Sequence, residues 1–357
     1  MIESNLDIHS LLPEEIKTLI KKLQGVLIEK EESKNTIGEI ANFERGKIIC
    51  PKCKKENIRK DGLYKGRQKY ECKGRGKKFN SLTATPFHHT HLNYKQIEIA
   101  YQCLVDKVSI RKAALKMGTS VWTAFVTRFK LISCLKQQRD ETKLSGNIEL
   151  HEYYLSINLK GPKKEKMPRI SKKRKKNGTG KQGISNHTIC ITSGVDENDN
   201  IFFEVAGTSN VSTKMIKDTV VPKIVNSTKV ITDCKSSYEE PAKEQMWNLK
   251  QVKSTGYTDL EGNNLANINS LHSQLTLFLS QFHGVSTKHL QEYLDWFVFL
   301  KRLTYKVEYL EQVHEFEKNT ITINSGINYS NVCDNHSIFD FYKVYDDYNY
   351  HPSNSTT

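Results

Sequence analysis

Cys50-Pro51-Lys52-Cys53 sets two thiols on one tight turn, and Tyr70-Glu71-Cys72 brings a third after a basic, glycine-punctuated stretch. Two such turns facing each other build the tetrahedral thiolate cage that Zn2+ prefers. A matching second turn would need a cysteine at position 75, where Arg75 stands. Cys50, Cys53 and Cys72 therefore predict a zinc-ribbon-like module one ligand short. Either His88, His89, His91 or water completes the site, or the module survives on packing without its metal. A second chemistry is electrostatic. Between Lys160 and Gly183 lie eleven Lys or Arg and one acidic residue, with Lys172, Lys173, Arg174, Lys175 and Lys176 at the centre. Such a run is a flexible loop until it meets phosphate, and it binds by releasing counterions, without reading bases.

The elements that must carry these groups follow from periodicity. Apolar residues from Ile8 to Ile28 recur at helical spacing and predict an amphipathic leader helix over 8–31. Short strand-like pieces run from Lys47 to Leu82 around the cysteines. Helices are expected at 93–105, 109–117 and 120–135, with Gly118 breaking the second and Thr119 or Ser120 capping the third. Small residues at Ala113 and Ala114 allow two helices to approach, and the third helix would present Thr123, Thr127, Arg128 and Lys130 to a DNA major groove and its phosphates, as a helix-turn-helix does. From about Ser145 the pattern changes to strands at 148–155, 188–195, 201–206 and 229–232, with Asp196 to Asn200 as a hairpin signal. Helices are expected at 212–225, 236–246, 264–282 and 286–303, which makes this region mixed α/β.

The whole chain agrees with that division. Its 357 residues exceed one ordinary core, and its charge of +14 calls for a polyanionic partner. The eight cysteines form no disulfide framework and Met1-Ile2-Glu3-Ser4 opens no signal segment, so a reducing cytoplasm is the expected compartment. No apolar run is long enough for a membrane span.

Several segments in fixed order carry a resemblance. They are Cys50-Pro51-Lys52-Cys53, Lys78 to Phe87, Ser109 to Lys130, Ile148-Glu149-Leu150-His151-Glu152, Ile231 to Tyr238, Ile268 to Ser273 and Gly284 to Leu290. Over about Gly46 to Lys306 the chain resembles the transposases of insertion-sequence family 1595, the group with an ISXO-like transposase domain. The resemblance implies an RNase H-like catalytic domain preceded by a zinc ribbon and a helix-turn-helix. It implies strand cleavage and transfer by two divalent ions, Mg2+ or Mn2+, held by acidic side chains. The first family aspartate falls on His151, the second on Asp233 and the third ligand on Asn269, with His272 a further candidate on the same helix; a family lysine falls on Thr276. Imidazole is a poor ligand for Mg2+ and cannot bridge two ions through oxygen. Strand alternation puts Glu149 on the face of His151 and Glu152 on the other, so Glu149 is the nearest substitute carboxylate.

The expected organisation is a helical leader (1–45), a zinc-ribbon-like module (46–90), a helix-turn-helix region (91–140), an RNase H-like domain (145–305) with the basic loop at 160–183, and a polar tail (306–357). The leading function is an insertion-sequence transposase that binds element ends and target as double-stranded DNA, acts as a homo-oligomer and is catalytically impaired at His151. The alternative is a non-catalytic, transposase-derived DNA-binding protein or repressor. A zinc-ribbon RNA-binding or transcription factor leaves residues 145–305 without a purpose.

Overall fold

Residues 48–64, 67–80, 82–158, 188–253, 258–304 and 308–321 are described by the computed structural model, with the single residues 323, 327 and 332. The expected leader helix, the basic loop with Lys172, Lys173, Arg174, Lys175 and Lys176, and most of the polar tail lie outside these residues. The chain divides into two units, Met1–Glu98 and Ile99–Thr357.

In the first unit β1 (Ile58–Tyr64), β2 (Arg67–Cys72) and β3 (Lys78–Asn80) form an antiparallel sheet in the order β1-β2-β3. Alternation along β2 sends Tyr70 and Cys72 to one face. There they join Cys50 and Phe79 in a small core flanked by Ile48, Cys53 and Ile58. Gly62, at φ 70, sits where the β1–β2 register shifts, a conformation that glycine adopts without a Cβ penalty.

Three helices follow: α1 (Tyr94–Val105), α2 (Ile110–Met117) and α3 (Val121–Ile132), within a few residues of the expected bounds. Gly118 ends α2 at φ 61, and the Ser120 hydroxyl caps α3 by accepting from the Thr123 amide at 3.0 Å. A short α4 (Lys136–Glu141) leads into the sheet.

The second unit is mixed α/β. β4 (Leu144–Ser156), β5 (Thr188–Asp196), β6 (Ile201–Thr208), β7 (Ile224–Thr232) and β8 (Leu249–Gln251) are ordered β6-β5-β4-β7-β8. β4, β5 and β6 pair antiparallel, while β7 pairs parallel to β4 and β8 parallel to β7. The three-residue β8 is too short to carry an alternation signal, and the sequence reading missed it. Gly194 in central β5 is needed because a Cβ there would lie 2.6 Å from Phe202 and 2.7 Å from Leu150.

Helices cover both faces. On one, Leu144, Ile148, Leu150, Phe202 and Val230 pack with Ile216 of α5 (Thr213–Thr219), Val220, and Tyr238 just before α6 (Glu239–Glu244). On the other, Phe203 meets Phe297 of α8 (Leu290–Thr304), which in turn packs on Phe278 of α7 (Ala266–Ser280). The tail expected from residue 306 begins with a helix, α9 (Tyr309–Thr320), which belongs to the core: Phe316 is fully buried against Phe299, and Thr320 bonds the Tyr101 hydroxyl at 2.9 Å. Among the described residues no helix is long and apolar enough to cross a membrane.

Candidate active site and thiol site

Parallel pairing sets Glu149 opposite Ile231, and two residues further the same register brings His151 level with Asp233, just past the end of β7. The open position beyond a strand's carboxyl end is where α/β sheets place chemistry. Nδ1 of His151 lies 3.7 Å from Asp233 Oδ2 and 3.9 Å from Glu152 Oε2. One nitrogen and two carboxylates thus fall within 4.8 Å of one another. Lys235 reaches the same point: its Nζ is 3.3 Å from Asp233 Oδ2 and donates to Glu152, which also accepts from the Tyr238 hydroxyl.

Electrostatics fix the charge states. Burial pulls the Lys235 ammonium down, but the Glu152 and Asp233 carboxylates outweigh it and hold the group above the ordinary lysine range. Burial lowers His151 despite the same two carboxylates, so its imidazole is neutral near pH 7. His151 Nδ1 and Asp233 Oδ1 are buried and have no hydrogen-bond partner.

Glu149 is not the substitute carboxylate. It accepts from the Asn267 amide at 2.7 Å and from the Ile268 backbone N–H at 3.0 Å, which anchors it to the positive N-terminal end of α7. Glu152 stands on the other face of β4, as alternation requires, yet its carboxylate reaches His151. The reason is that β7 has ended there and no strand lies between the two faces. Sequence reasoning passed over Glu152 and Lys235 as site residues, since neither carries a local pattern that marks it.

On α7 the His272 ring stacks 5.4 Å from His151, and its Nε2 is 2.7 Å from the Ser193 hydroxyl. Ser193 donates its one proton to the His151 carbonyl at 2.7 Å, so His272 Nε2 is the donor to Ser193. Asn269 is half-buried one turn earlier on the same helix. Thr276, one turn after His272, bonds the Tyr153 hydroxyl at 2.7 Å.

Residues 143–301 match the family described as "ISXO2-like transposase domain". This segment, less than half of the chain, is similar to that transposase domain. A protein of Halobacterium salinarum described as "Uncharacterized protein in transposable element ISH50" is 28% identical over 126 residues, 35% of this chain and 42% of that protein. The match therefore spans less than half of that relative. A solved structure of a pre-cleavage Mos1 transpososome covers 61% of this chain and 75% of its own at 10% identity and a TM-score of 0.26, an overlap too slight to bear on the fold.

The donor set limits which cations this cleft could hold. Two hard ions need oxygen ligands and a shared carboxylate. Here the first position offers a single imidazole nitrogen, and an ammonium already neutralises part of the carboxylate charge. These residues do not fit a pair of Mg2+ ions.

The thiols of Cys50, Cys53 and Cys72 also converge within 4.8 Å, with Cys53 and Cys72 Sγ 3.7 Å apart. Burial raises the Cys50 thiol, but the backbone N–H groups of Cys53 and Lys52 and the neighbouring thiols bring it to about 7. Two turns repeat one backbone pattern. Cys50 N–H donates to Lys55 O and Lys54 N–H to Cys50 O; Cys72 N–H donates to Lys77 O and Gly76 N–H to Cys72 O. Lys54 and Gly76 share the same left-handed conformation, at φ 58 and 60. Arg75 thus occupies the counterpart of Cys53, and its exposed side chain leaves the fourth position open. Among the described residues no histidine joins the thiols, and His88 and His89 instead stack on each other at 3.9 Å. Arg75→Cys is therefore expected to slow zinc loss to a chelator by about tenfold or more, the equivalent of ~1.4 kcal/mol. Equal retention by both proteins would mean that another group completes the cage.

The candidate DNA-contacting residues on α3 need correction. Thr123 is half-buried at the capped end of the helix. Thr127, Arg128 and Lys130 are 5%, 4% and 8% exposed. Arg128 donates to the Val108 carbonyl and lies over the rings of Trp296 (5.3 Å) and Phe282 (5.8 Å). α3 is a core helix along most of its length because its neighbours Phe125 and Phe129 pack against His289 beside α8. On α2, by contrast, Arg111, Lys112 and Lys116 are exposed.

Proposed function

We propose that the chain is an insertion-sequence transposase that recognises element ends as double-stranded DNA, with an RNase H-like domain whose Mg2+-dependent strand chemistry is suppressed. The observation that carries this reading is the Lys235 ammonium seated against Asp233 and Glu152, with His151 where the family's first carboxylate would stand. The sheet order, three antiparallel strands continued by two parallel ones, supports the RNase H-like assignment. The α2–α3 pair closed by Gly118 supports a helix-turn-helix, with Arg111, Lys112 and Lys116 toward phosphate. The basic run at 172–176 and the net charge of +14 support a nucleic-acid partner. The thiol cluster supports a three-ligand zinc ribbon ahead of it.

The same observation favours a second reading, a transposase-derived DNA-binding protein or repressor. Strand cleavage of supercoiled DNA carrying candidate ends, assayed with Mg2+ and with Mn2+, separates the two. The unaltered chain is expected to shift end DNA in a gel and to cut little or none of it with Mg2+. His151→Asp combined with Lys235→Met restores a carboxylate and withdraws the competing cation. Cleavage by that variant would identify a transposase with a blocked site, whereas binding without cleavage would identify the repressor reading. Robust Mg2+-dependent cleavage by the unaltered chain, abolished in Asp233→Ala, would overturn suppression.

A further inference from the structure

We propose that His151, Glu152 and Asp233 form a mononuclear site for a borderline divalent cation of the Mn2+, Co2+ or Zn2+ class, with Lys235 as the resident cation that the metal must displace. The proposal deepens the reading above and rests on its choice of the strand-end cleft as the site, but not on DNA binding.

The donor chemistry points to one borderline ion. Imidazole nitrogen with carboxylate oxygen suits Mn2+ through Zn2+ and not Mg2+. The three donor atoms already lie within 4.8 Å of one another, so a metal can gather them by small side-chain rotations. Two donor atoms, His151 Nδ1 and Asp233 Oδ1, are buried and have no hydrogen-bond partner, and Asp233 is only 8% exposed. Buried polar atoms without partners are costly, and a bound cation would satisfy both.

Charge sets the stoichiometry. Glu152 and Asp233 neutralise a single divalent ion, and a second would leave the cleft strongly positive. Lys235 competes because its Nζ is 3.3 Å from Asp233 Oδ2 and bonded to Glu152. It is also the member able to leave: its side chain is 30% exposed and rests on the face of Tyr154, 5.2 Å from the ring centre.

Mn2+ titration of the full chain without DNA, followed by electron paramagnetic resonance, tests this. The expected result is one Mn2+ per chain, bound about tenfold more tightly by Lys235→Met than by the unaltered protein, because a unit positive charge has left the site. Nitrogen modulation of the spin echo is expected from His151 and is lost in His151→Gln. Thiolates hold Mn2+ poorly, so Cys50, Cys53 and Cys72 would not mimic this signal. Absence of Mn2+ binding in a folded Lys235→Met protein, equal affinities for the two proteins, two ions per chain, or a bound ion without nitrogen modulation would each overturn the proposal. A gel shift of end DNA by the same preparation keeps the outcomes separate, since metal failure with DNA binding intact overturns this site and leaves the DNA reading standing.

Discussion

Arg128→Ala is expected to cost about 3 kcal/mol of folding stability while leaving the DNA affinity of the folded fraction nearly unchanged. The side chain is 4% exposed, so its removal opens a cavity beside Trp296 and Phe282. It also strips the Val108 carbonyl of its donor. Relief of a buried charge offsets part of this, since Arg128 Nη1 has no hydrogen-bond partner. Arg111→Ala, on the exposed face of α2, is the control: stability should stay within about 0.5 kcal/mol, while DNA binding weakens. Urea denaturation followed by tryptophan fluorescence, alongside gel shifts, reads both quantities. Unchanged stability with a collapse of DNA binding in Arg128→Ala would return this residue to the DNA interface.

The second large effect is loss of stability in acid, carried by His272. Burial, with a smaller contribution from neighbouring His151, lowers the His272 pKa from 6.5 to about 3. The unfolded chain takes up this proton near pH 6.5 and the folded chain does not until about 3. The contribution is therefore fully present above 6.5 and is lost as pH falls through the window between the two values. Between pH 7 and pH 4 it amounts to about 3 kcal/mol at ~1.4 kcal/mol per unit. His272→Gln keeps a side-chain amide to bond the Ser193 hydroxyl and removes the titration. Its stability should fall with acid by about 3 kcal/mol less than that of the unaltered chain. Parallel stability curves for the two proteins would show that the folded site accepts the proton after all.

Much of the architecture was legible because local rules sufficed. Alternation and helical spacing placed four of the five strands of the large sheet and its longer helices within a few residues; β7 begins five residues before the expected strand, and α5 stops at Thr219, six residues short of the expected end at 225, because β7 already starts at Ile224. Gly118 and Ser120 marked the turn between α2 and α3, since a left-handed stop and a hydroxyl cap are local requirements. The cysteine spacing identified the thiol site and its gap at Arg75, which the repeated turn geometry then located. The meeting of His151 with Asp233 was expected from the resemblance, and the β4–β7 register brings it about.

What the sequence by itself determined, then, was the order of elements, the three thiols and a histidine at position 151. The tertiary structure alone decided which polar groups would face the site and which would be consumed by packing. α3 reads Val-Trp-Thr-Ala-Phe-Val-Thr-Arg-Phe-Lys-Leu-Ile, apolar almost all round, so no periodicity could say that Arg128 and Lys130 would be buried, Arg128 against Trp296 of α8. Glu149 and Glu152 are equivalent by composition. The arrival of the α7 N-terminus at Glu149, and the ending of β7 beside Glu152, assigned one to a helix anchor and the other to the cleft. Lys235 carries no pattern of its own, and only the fold brings its ammonium between two carboxylates from different strands. The physical reason is common to all three: local sequence fixes backbone dihedrals and side-chain alternation, whereas charge pairing depends on distances between segments that only the packed sheet sets.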